Sequence, residues 1–298
     1  MFGVFFFIFG TLWGSFFNVC ISRIPRGKSI AFPPSHCPEC EARIRWYDNI
    51  PLLSYIILRR KCRSCKAPIS LQYPFVELLT GLIFLFLYLE HGLSFEFAFY
   101  LVISGFLIIG AMIDLRYFIL PEITTIVPLI LTIVIALVFD LTGLQLTLLL
   151  AQEQLLSEYF TLTIPMLPQF MLSLAGAILG FSSFWGLAKL GKIMFRKDAL
   201  GGGDIILMGF IGSLTGPIGV FIVTLLGSFV GSIIGLIAMT LKVRKKPSEE
   251  EHIWQEEDFS FTEEGYYLPF GPFLAFGTLV TLIWGVYFIF ALFGMYHL

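Results

Sequence analysis

Two aspartates sit where apolar stretches meet polar ones. Asp204 follows Gly201, Gly202 and Gly203 and opens the run Ile205-Ile-Leu-Met208; Asp114 closes the run that ends Gly110-Ala-Met-Ile113. A carboxylate at a membrane boundary is costly unless it is paired or wet, which makes each a functional candidate. The glycines leave the backbone beside Asp204 bare, so another chain can come close. If the two helices are neighbours, the carboxylates can share one proton, leaving one acid and one base. The base would take a proton from water, the water would attack a peptide carbonyl, and the acid would protonate the leaving nitrogen. Two blander readings compete: Asp204 as a helix N-cap, and Asp114 as an interfacial partner of Arg116. Glu77, just after Pro74, and Glu122, just after Pro121, are further acids, and Glu122 could line the same cavity. No Ser/His/Asp or Cys/His set offers another nucleophile, because His36, His91, His252 and His297 are scattered along the chain.

Four of the five cysteines form two pairs, Cys37-Pro-Glu-Cys40 and Cys62-Arg-Ser-Cys65, with 21 residues between them. Four thiolates in two such turns suit a tetrahedral zinc with no open position, a structural site. Neighbouring Arg and Lys favour the thiolate form. Two redox pairs, or four unrelated cysteines, are the alternatives. A metal here would fold a mostly polar module that has little core of its own. Cys20 lies in the first apolar run, where packing is its expected role. His36 adjoins Cys37 but is surplus to a four-sulfur site.

The elements that must position these groups are membrane helices. Of 298 residues, 57% are hydrophobic and 13% charged, and 33 are Phe; soluble domains average near 25% charged. The expected fold is an all-α polytopic membrane protein. Apolar stretches occur near 2–21, 75–90, 97–113, 122–141, 168–188, 205–216, 218–241 and 270–293, giving eight expected spans. The first lacks a basic leader region and a small-residue cleavage site, so it is read as a retained helix. With eight spans, all 19 Lys and Arg fall on one side, which must be the cytoplasmic one. Both termini then face outward. The loops 22–73, 114–121, 189–204 and 247–269 are expected in the cytoplasm. The expected organisation is a first transmembrane helix (1–21), a zinc-binding cytoplasmic loop (22–73) and a seven-helix membrane protease domain (74–298). The outer loop 142–167 has no assigned role. Glycines four apart at 10/14, 176/180 and 227/231/235 are the spacing of close helix packing in lipid.

The chain resembles the type IV prepilin peptidases, bacterial membrane aspartyl proteases of the GxGD type. The resemblance rests on Gly14-Ser-Phe-Phe-Asn-Val19, the two cysteine pairs, Trp46-Tyr-Asp-Asn-Ile-Pro-Leu-Leu-Ser-Tyr55 and Tyr73-Pro-Phe-Val-Glu-Leu78. It extends to Ile113-Asp114 with Leu120-Pro121, Gly201-Gly-Gly-Asp204 and Pro269-Phe-Gly-Pro272. It implies eight spans, catalytic Asp114 and Asp204, and a zinc-binding cytoplasmic loop in the bacterial inner membrane. It also implies cleavage of a basic leader from type IV prepilins or pseudopilins, followed by methylation of the new N-terminal amine from S-adenosylmethionine. The acids Glu249, Glu250, Glu251, Glu256, Glu257 and Asp258 could attract such a leader, though a solvated loop is the plainer reading. Two positions depart from the family pattern: Glu122 stands where an aspartate is usual, and Ile206 where a lysine is common. A proton-coupled transporter using Asp114, Asp204 and Glu122 is the rival from another class. Such sites lie near the bilayer midplane between structural repeats, and no repeat is visible here. A non-catalytic pilus-assembly scaffold is the other rival. No nucleic-acid partner is expected.

Overall fold

The computed structural model describes residues 2–144, 146, 149, 169–195, 200–240 and 269–293, all of them helical or in loops. The acidic run 249–258, the basic segment 242–246, most of the outer loop 142–167, and His252 and His297 lie outside the described residues. The chain divides into two compact units, Met1–Ile113 and Asp114–Leu298.

In the first unit, α1 (Phe2–Arg23) pairs with α3 (Gln72–His91). Glycine makes the approach possible. A Cβ on Gly10 would stand 2.8 Å from the Cα of Gly81, and one on Gly14 would stand 2.7 Å from the Cα of Glu77. Small residues at such points let backbones meet in lipid, where packing replaces the hydrophobic drive. Phe6 stacks on Tyr88 at 4.7 Å and meets Phe97 of α4 (Phe95–Tyr117) edge-on at 4.9 Å. The opposite face of α1, with Val4, Phe5, Ile8 and Leu12, is exposed, as a lipid-facing stripe is.

Between α1 and α3 lies a small module built on the cysteines. Its two halves repeat one pattern. Cys37 N–H donates to Ala42 O at 3.0 Å and Glu41 N–H to Cys37 O at 2.9 Å; Cys62 N–H donates to Ala67 O at 2.8 Å and Lys66 N–H to Cys62 O at 3.1 Å. Glu41 (φ 56°) and Lys66 (φ 64°) both take the left-handed conformation one residue after the second cysteine of each pair. A short helix, α2 (Leu53–Ile57), completes the module. Arg63 reaches across to Asp48 at 2.8 Å and, with Arg45, flanks the Tyr47 ring at 5.5 and 5.8 Å. The guanidinium of Arg63 holds the Asp48 carboxyl below the usual carboxylate range.

The second unit contains α5 (Glu122–Thr142), α6 (Gln169–Phe195), α7 (Gly202–Thr240) and α8 (Gly271–Phe293). Asp140 at the end of α5 accepts the first amides of α6, Gln169 at 3.0 Å and Phe170 at 2.9 Å. The expected stretches 205–216 and 218–241 are both within α7, which is not one straight rod. Gly216 breaks it with φ 69° and ψ 178°, and Pro217 follows. A Cβ on Gly212 would stand 3.1 Å from the side chain of Val220. Eight residues along an unbroken helix are about 12 Å apart, so the chain folds back at Gly216. The Thr215-Gly216-Pro217 turn signal is where this happens. Every residue from Leu207 to Gly216 is buried, whereas Phe221, Leu225 and Phe229 of the second arm are exposed at one-turn spacing.

Six described helices are long and apolar enough to cross a membrane: α1, α3, α4, α5, α6 and the doubled α7. The helix expected near 270–293 is α8. The glycine spacing acts as a packing signal except at Gly235, where a Cβ would meet nothing within 4 Å. Gly176 meets the Gly212 backbone across α6 and α7, Gly180 meets Met208, and Gly227 meets Phe273 of α8. Ser173 Oγ donates across the first seam to Ser213 O at 2.7 Å. Gly212→Ala should therefore destabilise the protein by about 1–3 kcal/mol, the usual cost of forced overpacking, seen as a lower melting temperature in detergent. Gly186→Ala, on the same pair of helices but facing open space, should leave the melt unchanged.

Candidate active site and cysteine cluster

Asp114 and Asp204 both belong to the second unit. At the end of α4, Phe118 takes a left-handed conformation (φ 58°) and donates its N–H to Asp114 O at 2.9 Å. This stops the helix and turns the chain into Leu120-Pro121. Pro121 is extended (φ −62°, ψ 139°) and starts α5, with Thr124 Oγ1 donating back to its carbonyl at 2.7 Å. Asp204 lies in the first turn of α7, and its N–H donates to Gly201 O at 3.1 Å. Its backbone is thus already helical, so it does not serve as the N-cap. A carboxylate in a first turn is favoured by the helix dipole.

Leu120 ties these pieces together. A Cβ on Gly203 would stand 2.8 Å from Leu120 Cβ, and one on Gly271 would stand 3.3 Å from Leu120 Cδ1. The same Cβ on Gly271 would stand 2.5 Å from Asp114 Oδ2. The start of α8 therefore abuts the carboxylate, and only glycine fits there. Gly201 is closest to Asp204, with a Cβ position 3.8 Å from Oδ2, and Gly202 faces open space.

The pair is buried and incompletely satisfied. Asp114 is 6% exposed, and Asp204 is half-buried. The two carboxylates lie within electrostatic reach of one another, and the Gly271 backbone amide faces Asp114. Asp114 Oδ2 and Asp204 Oδ1 are buried without a hydrogen-bond partner among the described residues. Buried polar atoms are normally paired, and leaving them unpaired costs free energy. Two such oxygens, on acids within electrostatic reach of one another, mark the candidate site. Glu122 is exposed at the start of α5, and Ile206 is half-buried in α7. Glu77 belongs to the first unit, where it is buried against α1.

The four cysteines converge. Their sulfurs all lie within 4.8 Å of one another, with Cys37 Sγ and Cys65 Sγ 3.9 Å apart. Zinc–sulfur bonds of about 2.3 Å in a tetrahedron put sulfurs about 3.8 Å apart, so this set can hold a metal ion. Backbone N–H groups of Cys65 and Ser64 pull the Cys62 thiol down to about 6, whereas at Cys65 the Ala67 backbone contact is outweighed by burial and by hydrogen bonds to the neighbouring sulfurs, which push that thiol up to about 11. His36 instead places Nδ1 at 3.1 Å from Pro34 O. The matching knuckles were missed in reading the sequence, although Cys-x-x-Cys-x-Ala at 37–42 and 62–67 carries the repeat. Purified protein should contain about one zinc per chain, the stoichiometry of a four-cysteine site. Cys37→Ser should lose it and lower the melting temperature, as elemental analysis and a thermal melt would show.

Comparison with known proteins identifies the family. A family profile described as the bacterial peptidase A24 N-terminal domain matches residues 8–91, and one described as the type IV leader peptidase family matches residues 101–236. A prepilin leader peptidase/N-methyltransferase of Myxococcus xanthus is 35% identical over 250 residues, covering 84% of this chain and 67% of the relative. The type 4 prepilin-like proteins leader peptide-processing enzyme of Escherichia coli O78:H11 is 32% identical over 292 residues, covering 92% and 90%. A prepilin leader peptidase/N-methyltransferase of Neisseria gonorrhoeae is 32% identical over 263 residues, covering 80% and 82%. No solved structure matches the chain. On these two profiles and full-length relatives, the chain belongs to the type IV leader peptidase family.

Proposed function

We propose that this chain removes the basic leader of type IV prepilins or pseudopilins with Asp114 and Asp204, then methylates the new N-terminal amine from S-adenosylmethionine. The observation that supports the dyad is a pair of carboxylates within electrostatic reach of one another, each with one buried oxygen that has no hydrogen-bond partner among the described residues. Two carboxylates this close hold one proton between them. The ionised one takes a proton from water as the water attacks the scissile carbonyl. The protonated one gives its proton to the departing nitrogen, and the C–N bond breaks. Gly271 and Leu120 keep Asp114 in place, and the turn at Gly201, Gly202 and Gly203 keeps Asp204 in place. Zinc on Cys37, Cys40, Cys62 and Cys65 has a structural role and takes no part in these steps. S-adenosylmethionine would supply an activated methyl group.

The proposed topology counts the two arms of α7 separately and adds α8, which makes eight crossings. The one-sided Lys and Arg then place the cysteine module (within 22–73) and the dyad at the cytoplasmic face of the bacterial inner membrane, with both termini outside. A substrate helix in the bilayer, its basic leader in the cytoplasm, would bring its scissile bond to that depth. Membership of a peptidase family favours this enzyme over the transporter and scaffold readings.

The test is incubation of purified protein with a prepilin, reading the mass loss of the leader. Asp114→Asn and Asp204→Asn should each cut the rate by roughly 10²–10⁴-fold or more, the range of general acid–base catalysis, while still inserting and binding zinc. Full cleavage by either would overturn the dyad. Gly271→Ala, whose Cβ would meet Asp114 Oδ2 at 2.5 Å, should also slow cleavage, whereas Gly202→Ala, which faces open space, should not displace either carboxylate.

A further inference from the structure

The short helix α2 is amphipathic in the wrong sense for a module surrounded by water. Leu53, Ile56 and Ile57 are 56%, 69% and 68% exposed, and at this spacing they share one face of the helix. Ser54 is turned inward and buried, its hydroxyl donating to Tyr47 O at 3.1 Å. Aliphatic side chains out and a hydroxyl in form an apolar patch of the kind that marks a protein or membrane contact.

A hydrogen bond sets the depth of this face. Leu52 N–H, immediately before α2, donates to Glu77 Oε2 at 2.8 Å. Glu77 is in the second turn of α3, about 8 Å along the axis from its first residue, Gln72. Phe75 and Leu78, within a turn of Glu77 on this membrane-crossing helix, are exposed. The N-terminal end of α2 is therefore held at a level where α3 already turns apolar side chains outward. At about 1.5 Å per residue α2 is far too short to cross a bilayer, so it lies at the edge of the apolar layer.

Cations follow α2 directly. Arg59 N–H donates to Ile56 O and Arg60 N–H to Tyr55 O, both at 3.0 Å, so the chain closes back on the last turn of α2. Both arginines have positive φ, 50° and 62°, and both are exposed without an ion pair among the described residues. Between Arg23 and Lys66 the chain has ten Lys or Arg against three Asp or Glu. Four thiolates around a divalent metal would leave that segment still strongly basic. Such an excess repels a basic leader peptide and a second copy of the same module, and attracts an anionic surface.

We propose that α2 is a lipid-binding element: Leu53, Ile56 and Ile57 rest in the apolar layer beneath the headgroups, and Arg59 and Arg60 bind the phosphates of anionic phospholipids. Apolar burial and headgroup attraction act together in helices that lie in the interface plane, and guanidinium matches phosphate with paired N–H···O bonds. The assignment needs α1 and α3 to cross the bilayer and holds for either orientation of the chain. It gives the cysteine module an attachment to the membrane besides the two helices that carry it.

The experiment puts a photoreactive diazirine amino acid in place of Ile56 in the full-length protein. The protein is reconstituted in vesicles of phosphatidylethanolamine and phosphatidylglycerol, and adducts are identified by mass after illumination. Lipid adducts are expected, at a yield like that of the same label in place of Ile8, an exposed residue of α1. Phosphatidylglycerol adducts should be enriched about fivefold over the vesicle composition, the preference that one cation beside anionic lipid supplies. Arg59→Gln combined with Arg60→Gln should return the ratio to the vesicle composition, and a thermal melt reports whether that variant is folded. If it is not, raised salt on the otherwise unchanged protein makes the same comparison, because ions screen surface attraction. Water adducts alone at Ile56, or cross-links there to a second copy or an added prepilin in place of lipid, would overturn the assignment. So would a lipid ratio equal to the vesicle composition at the outset, or one that neither the folded variant nor salt reduces.

Discussion

Backbone-to-backbone approach is the constraint on which the second unit depends. In lipid, apolar side chains gain little by leaving one apolar medium for another, so helices associate through close packing. Gly176 and Gly212 leave no room for a Cβ on either side of their seam. The same economy of space recurs at the acids. Gly203 admits Leu120, and Gly271 admits both Leu120 and the Asp114 carboxylate. Without those three contacts the residues on either side would be held apart by at least a methyl group. A seam of glycines therefore sets the separation of two carboxylates that are far apart in sequence.

The cysteine module answers a different problem. It is short, polar, and has few buried apolar side chains, with Ser54, Cys37 and Pro25 among its buried or nearly buried residues. Such a segment cannot offset its ordering entropy by burial alone. Two near-identical knuckles bring four sulfurs to one point, and the Arg63–Asp48 pair with the Tyr47 ring closes the gap between them. The Arg63 end of that pair is open to solvent while the Asp48 side chain is largely covered; the pair links Trp46-Tyr-Asp48 to the second knuckle.

Much of this was legible in the chain. Apolar length marked the helices, the cysteine spacing marked a cluster able to hold a metal ion, and the ends of apolar runs marked Asp114 and Asp204, which the fold puts within electrostatic reach of one another. Each of these signals is local: a run, a spacing, a composition change. What the sequence hid is decided by tertiary contact. The N-cap reading of Asp204 gave way because the helix begins at Gly202, and no residue type announces which of three glycines comes first. Leu52 has φ 61° and donates its N–H to Glu77 Oε2 at 2.8 Å, a pairing 25 residues apart that its residue type does not announce. The fold-back at Gly216 was marked by Thr-Gly-Pro, but not how its two arms pack.

The enclosed first arm of α7 has a mechanical consequence. Residues 202–215 are roughly 21 Å long at 1.5 Å per residue, well short of the roughly 30 Å hydrocarbon layer. A lipid-facing span of that length would thin the bilayer around it or tilt with changes in acyl-chain length. This arm is instead buried within the protein from Leu207 to Gly216, which removes the need to match the bilayer. Its height is set by the seam to α6. A cell that remodels its fatty acids with temperature would shift the outer helices while Gly203 keeps its register against Leu120, so the position of the neighbouring Asp204 is insulated from membrane fluidity.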